Sequence, residues 1–168
     1  MQTFDPDLLD FLESRVVPEW QRTVWREVLG HSTPLHPNQR GARWNPPGVE
    51  ALYCSLAAAT ASAEVDFLIS LQSVPIRKRR LVSLLVEITR VVDLTDTSPL
   101  VSFGIDRPDL WGDNHDAPRL IGSAVSWLSC AGLLVPSARH EGTNLVIYTN
   151  QMAATDRVAL VDTPDVDH

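Results

Sequence analysis

The sequence predicts an α+β fold: one domain over residues 1–168, with a single mixed β-sheet and helices packed on it. Three observations carry this reading. Segments rich in β-branched and aromatic residues lie towards both ends of the chain, with stretches of helical spacing between them. No internal repeat, low-complexity run or linker divides the sequence. A hydrophobic fraction of 44% with 21% charged residues is that of a globular domain large enough to bury its own core.

The elements follow in order. Asp5 before Pro6 has the form of an N-cap and first-turn proline, and Leu8, Leu9, Leu12 and Val16 recur at helical spacing. A helix over 6–16 is therefore expected, closed by Pro18. A short strand over 23–28 carries Trp25 and Arg26. Residues 30–47, rich in Gly, Pro, His and Asn, form an ordered surface loop. A strand over 49–54 leads into a helix capped by Ser55 and running to 71, with Pro75 as the break. The run LVSLLVEITRVVDL at 81–94 has the β-branched richness of a long buried strand, although its pattern also admits a helix. Residues 95–118, with Pro99, Gly104, Pro108, Gly112 and Pro118, read as a loop with room for a helical turn. A helix over 119–130 places Ile121, Val125 and Leu128 on one face. Short strands follow near 133–135, 145–149 and 157–161, and the acidic end at 162–168 is expected to fray.

Composition excludes several classes of function. A formal charge of −7 argues against general nucleic-acid binding. The one basic cluster, Arg77, Lys78, Arg79 and Arg80, reads as a solvated loop entering a strand. The histidines at 31, 36, 115, 140 and 168 offer no pair at metal-ligand spacing, so no metal site is expected. Cys54 and Cys130 lie far apart in apolar surroundings and read as reduced, buried thiols of a cytoplasmic protein. No apolar run is long enough to span a membrane, and the acidic start MQTFDPDLLDFLE lacks the features of a signal peptide. Phosphate-binding Walker loops, dinucleotide glycine fingerprints and serine-hydrolase elbows are absent from the sequence.

One residue asks for a partner. Glu64 lies in an apolar helix, and its neighbours at three and four residues either side are Thr60, Ala61, Phe67 and Leu68. An unpaired buried carboxylate costs several kcal/mol, so an arginine, backbone donors or an open cleft must compensate it. The alternatives are a structural ion pair or a rotation that exposes the side chain. Arg43 stands on a loop stiffened by Pro46 and Pro47, and a fixed guanidinium suits bidentate contact with a phosphate. Arg26, beside Trp25, is a second candidate for the same anion. Tyr53 is either a ring for stacking or a core aromatic, and Ser137, after Pro136, a turn cap or a functional hydroxyl.

Together these residues resemble the RES-domain family, named for its Arg, Glu and Ser. The resemblance runs through Trp25 and Arg26, the loop Gly41, Ala42, Arg43, Trp44, Asn45, Pro46, Pro47 and Gly48, then Leu52, Tyr53, Cys54, Ser55 and Glu64. It continues in Ile121, Gly122, Trp127, Val135, Pro136, Ser137, Ala138 and Asn144, and covers residues 20–150. It implies an ADP-ribosyltransferase-like sheet and a toxin that depletes NAD+ by hydrolysis or phosphorolysis. It implies further an Xre-like antitoxin occluding the active site, and inorganic phosphate as a co-substrate in the phosphorolytic case. Transfer of ADP-ribose to a protein, and a non-catalytic NAD-binding module, are the other readings it leaves open. By matching position, Glu64, Arg43 and Ser137 would be catalytic, and Arg26, Arg43, Asn45, Tyr53 and Ser55 would bind the dinucleotide. Three positions depart from the pattern. Ala42 replaces a glycine, Glu27 stands where an apolar or aromatic residue is usual, and Asp116 stands where some members carry a serine.

Overall fold

Two long strands set the frame. β1 (Val16–Leu29) and β3 (Arg79–Asp93) pair antiparallel from Val16 opposite Val92 to Leu29 opposite Arg79. The computed structural model describes residues 2–71, 78–162 and 165–166. The other edge of β3 is shared by three strands in succession. β7 (Asp165–Val166) pairs at Arg79 and Arg80, β6 (Arg157–Asp162) at Ser83 to Glu87, and β4 (Gly132–Pro136) runs parallel at Val91 to Asp93. β4 pairs with β5 (Thr143–Ile147), β5 with β2 (Leu52–Ser55), and β2 returns to β1 where Ser55 faces Trp25. The sheet is thus mixed, with β3–β4 its parallel pair, and β1, β2, β5, β4 and β3 close into a ring.

Alternation along the ring explains the two cores. Val24, Leu52 and Cys54, Val82, Leu84, Val86 and Ile88, Leu134, and Leu145 and Ile147 form one buried cluster to which five strands contribute, the inside of the barrel. The intervening Tyr53, Leu133, Val135 and Val146 face outward into a second cluster. That cluster is completed by α1 (Pro6–Ser14), by a 3-10 turn (Ser98–Phe103), by α3 (Arg107–Trp111) and by α4 (Asp116–Trp127). α2 (Ala58–Ser70) follows β2. Both cysteines are free and buried, and burial pushes the Cys54 thiol up to about 12. Among the described residues no helix is long and apolar enough to cross a membrane.

Several expected boundaries moved, each for a local reason. α1 is capped by the Asp5 carboxylate as expected, but ends at Ser14, and Val16 already belongs to β1. Pro18 does not stop a helix. It lies inside β1, where the ladder passes from the pair Val17–Val91 to Glu19–Thr89 without it, so its missing N–H costs no ladder bond. Ser55 is the last residue of β2 rather than a helix cap; α2 begins at Ala58 without a side-chain cap. The 81–94 run is a strand. The 95–118 segment holds the 3-10 turn and α3, which Asp106 and Asp109 close with a capping box. Pro118 sits in the first turn of α4, which accepts it. Arg79 and Arg80 are strand residues, and the Arg79 side chain, only 12% exposed, is no solvated loop residue. Arg77 and Pro75 lie outside the described residues, as do 163–164 and 167–168 of the acidic end, in which Asp165 and Val166 join the sheet.

Candidate active site

The loop between β1 and β2 is tied to itself before it presents anything. Gly41 has φ +99°, and a Cβ there would meet Pro47 Cδ at 3.0 Å, so the turn requires glycine. Asn45, fully buried, donates from Nδ2 to the Val49 carbonyl at 2.7 Å and accepts the Tyr53 hydroxyl at 2.6 Å. The same hydroxyl accepts the Trp44 N–H at 3.0 Å, and burial raises its pKa far above the ordinary tyrosine value. Arg26 donates to the carbonyls of Pro34 and Tyr53, at 3.0 and 2.8 Å. α4 closes against this loop at Gly122, where a Cβ would stand 1.8 Å from the Trp44 carbonyl oxygen.

Arg43 emerges from that clamp. Its Nη1 donates to the carbonyls of Leu110 and Gly112, at 2.8 and 2.9 Å, which joins the loop to the end of α3. Among the described residues its Nε and Nη2 have no protein partner. Burial lowers its pKa first, and Arg139 lowers it further, while Glu64, Asp113 and Tyr53 oppose the shift. The guanidinium remains a cation, and these groups share one electrostatic neighbourhood.

Glu64 is compensated by neutral donors rather than by an arginine. Its Oε1 accepts the Ser137 hydroxyl at 2.5 Å and Asn144 Nδ2 at 2.8 Å. Asn144 is aimed in turn by Ser55, whose buried hydroxyl donates to Asn144 Oδ1 at 2.7 Å. The chain Ser55–Asn144–Glu64–Ser137 therefore links β2, β5, α2 and the turn after β4. Glu64 Oε2 takes no bond among the described residues. A carboxylate so held is oriented on one oxygen and available on the other.

The turn from Ser137 to Gly142 lies along one stripe of α2, formed by Thr60, Glu64 and Phe67. Ser137 Oγ accepts the N–H groups of Arg139 and His140 at 3.1 and 3.2 Å while donating to Glu64. His140 Nδ1 lies 3.0 Å from Thr60 Oγ1, and Arg139 stacks on Phe67 with its guanidinium carbon 3.3 Å from the ring centroid. Gly142 allows the approach, since a Cβ there would be 2.3 Å from Thr60 Oγ1. His115, before α4, is held below the ordinary histidine value by burial and then by Arg43, Arg119 and Arg139.

A sequence model of the RES domain matches residues 17–167. This chain belongs to the RES domain family. The NAD(+) phosphorylase MbcT of Mycobacterium bovis and that of Mycobacterium tuberculosis are each 28% identical to it over 153 residues, 86% of this chain and 82% of MbcT. The crystal structure of the M. tuberculosis MbcT–MbcA toxin–antitoxin complex contains a chain with TM-score 0.81 and 26% identity. That match covers 96% of this chain and 93% of the other.

Within this RES domain, Glu64, Ser137 and Ser55 belong to one hydrogen-bonded chain, and Arg43 couples electrostatically to Glu64. Arg26, Asn45 and the Tyr53 hydroxyl are committed to the loop that carries Arg43. Glu27 is a structural residue: its buried carboxylate pairs with Arg79 and accepts from Ser62 Oγ at 3.1 Å, fastening α2 to β1 and β3. Asp116 is exposed in the first turn of α4, with its N–H on Asn114 Oδ1. Sequence reasoning had not placed Asn144, Arg139, Asp113 or His115 in the site. The four- and three-residue spacing of Thr60, Glu64 and Phe67 marks a helical stripe in the sequence, but what docks on it is a matter of strand register. Among the described residues no group of three His, Cys, Asp or Glu side chains is placed to hold a metal ion.

Proposed function

We propose that this chain is the NAD+-consuming toxin of a toxin–antitoxin pair, and that it cleaves the nicotinamide–ribose bond with inorganic phosphate as acceptor. The observation that carries the reading is the half-engaged Glu64, fixed through Oε1 by Ser137 and Asn144 and within electrostatic reach of Arg43. Similarity to MbcT over most of the chain supports phosphorolysis over hydrolysis.

Cleavage returns the bonding pair to the pyridine nitrogen and leaves an oxocarbenium-like ribose. Glu64 Oε2 would accept from the ribose hydroxyls and stabilise that cation. Arg43 would use its free Nε and Nη2 on the pyrophosphate, and such remote binding helps hold the ribose in a strained pose. Ser137 would position the carboxylate, as would Asn144 oriented by Ser55. The Tyr53 ring would line the nicotinamide–ribose pocket, with Arg26 and Asn45 keeping the pyrophosphate loop in shape.

We read the closed ring as a variant of the ADP-ribosyltransferase-like sheet. An antitoxin partner would cover the face that carries Arg43 and Glu64. A toxin that consumes the dinucleotide pool would act in the cytoplasm, and the charge of −7 argues against a nucleic-acid role of its own.

Purified chain incubated with NAD+ and phosphate is expected to release nicotinamide. Glu64→Gln should reduce the rate about 1,000-fold with the circular dichroism spectrum unchanged. Undiminished release by that variant sinks the assignment. Labelled NAD+ in cell lysate gives a second readout: free ADP-ribose phosphate is expected, and a discrete labelled protein band would instead mean transfer to a protein.

A further inference from the structure

Arg139 is a cation whose protein environment occupies its face but not its edge. The guanidinium stacks on Phe67 with its carbon 3.3 Å from the ring centroid. Among the described residues it makes no hydrogen bond or ion pair, so its in-plane N–H donors remain uncommitted. It is nonetheless held in place. Its own N–H and that of His140 bind Ser137 Oγ, Ser137 binds Glu64, and His140 meets Thr60. Three contacts along α2 thus fix a turn whose one cation, Arg139, follows by two residues the serine that binds Glu64, while the turn's own carboxylate, Glu141, is exposed. Pre-ordering of this kind lowers the entropy lost when an anion is captured.

The charge balance says what kind of ligand needs such a group. A neutral water molecule attacking near Glu64 requires no cation there. A phosphate dianion does, because it must approach a carboxylate in a protein of net charge −7. Arg43 is anchored to a different part of the chain, the carbonyls of Leu110 and Gly112, although Arg139 bears on it electrostatically. Arg139 travels with the Ser137 turn, next to the group assigned to the reacting ribose.

We propose that Arg139 binds the attacking orthophosphate, and so selects phosphate over water as the acceptor of the ADP-ribosyl group. The proposal rests on the reading of this chain as an NAD+-cleaving enzyme. In the step, an unprotonated phosphate oxygen forms the bond to the anomeric carbon as the carbon–nitrogen bond breaks. The pair from that bond neutralises the pyridinium. The products are nicotinamide and ADP-ribose 1″-phosphate, whose surplus proton passes to solvent.

Steady-state kinetics with phosphate and NAD+ varied separately provide the test, with both products resolved by chromatography. Arg139→Gln should raise the KM for phosphate roughly 10- to 100-fold, the range expected for losing a charge-assisted contact. The KM for NAD+ should change far less, and the product ratio should move towards free ADP-ribose. Arg139→Lys should recover part of the phosphate affinity, because the charge is kept and the fork is lost. Phe67→Leu, which retains the charge but removes its platform, should raise the phosphate KM less than Arg139→Gln does. An unchanged phosphate KM in Arg139→Gln overturns the proposal, as does a rise confined to the KM for NAD+, which would assign Arg139 to the pyrophosphate. A wild-type chain that releases no nicotinamide overturns the functional reading instead.

Discussion

Glu64 sits in α2 at some cost to the helix's apolar packing, and its surroundings meet that cost without neutralising it. Ser137 and Asn144 both donate to Oε1, while no arginine bonds the group among the described residues. An arginine partner would engage the whole carboxylate; a hydroxyl and an amide aim it and leave Oε2 open. His115 reports the charge of the same site. Burial and then Arg43, Arg119 and Arg139 keep its pKa below the unfolded value, with Asp113 opposing. The sign follows from linkage. As pH falls through the unfolded histidine value of about 6.5, the unfolded chain takes up a proton that the folded chain still refuses. Stability contributed by neutral His115 is present above that pH and is lost below it. Urea unfolding at pH 7.5 and 5.5 should therefore show a smaller acid-induced loss for His115→Gln than for the wild type.

At the scale of elements, the site depends on two close approaches. α4 meets the Arg43 loop at Gly122, and the Ser137 turn meets α2 at Gly142. A Cβ at position 122 would lie 1.8 Å from the Trp44 carbonyl oxygen and 2.8 Å from Tyr148 Oη, so backbone would have to move. Gly122→Ala should cost about 3 kcal/mol in urea unfolding, at the upper end for overpacking, and should also lower nicotinamide release by shifting Arg43. A neutral substitution would mean that α4 and the loop are not packed as described. α2 has a further fastening, the buried pair of Glu27 with Arg79, supplemented by Asp66 at 2.6 Å from Arg79 Nη1. The residue that departs from the family pattern thus acts in holding α2 to the barrel. It does not point to a lost activity.

For the whole molecule, closure of the ring is its weakest link. β1 and β2 are in register only at Trp25 and Ser55, whereas β3 is flanked by β1 on one side and by β7, β6 and β4 on the other. Native-state hydrogen exchange should find the amides of Leu84 to Ile88 the slowest, with those at the β1–β2 seam opening earlier. Protection at Trp25 and Ser55 equal to that of β3 would contradict this picture. Much of the architecture was legible beforehand because it is local. The Asp5 cap, the β-branched run of β3 and the periodicity of α4 each rest on neighbours in the chain. Pro18 misled because a ladder can skip a proline, which depends on a strand far along the sequence. Ser55 misled because its hydroxyl belongs to Asn144 across a strand pair. By itself, the sequence determined the candidate groups: the arginine on a stiffened loop, the carboxylate in an apolar helix and the serine after a strand. Only the tertiary structure decided that Ser55, Asn144, Glu64 and Ser137 form one chain and that Arg139 stands beside it. Those partners are 89, 80 and 73 residues apart, and strand register, not spacing, brings them together.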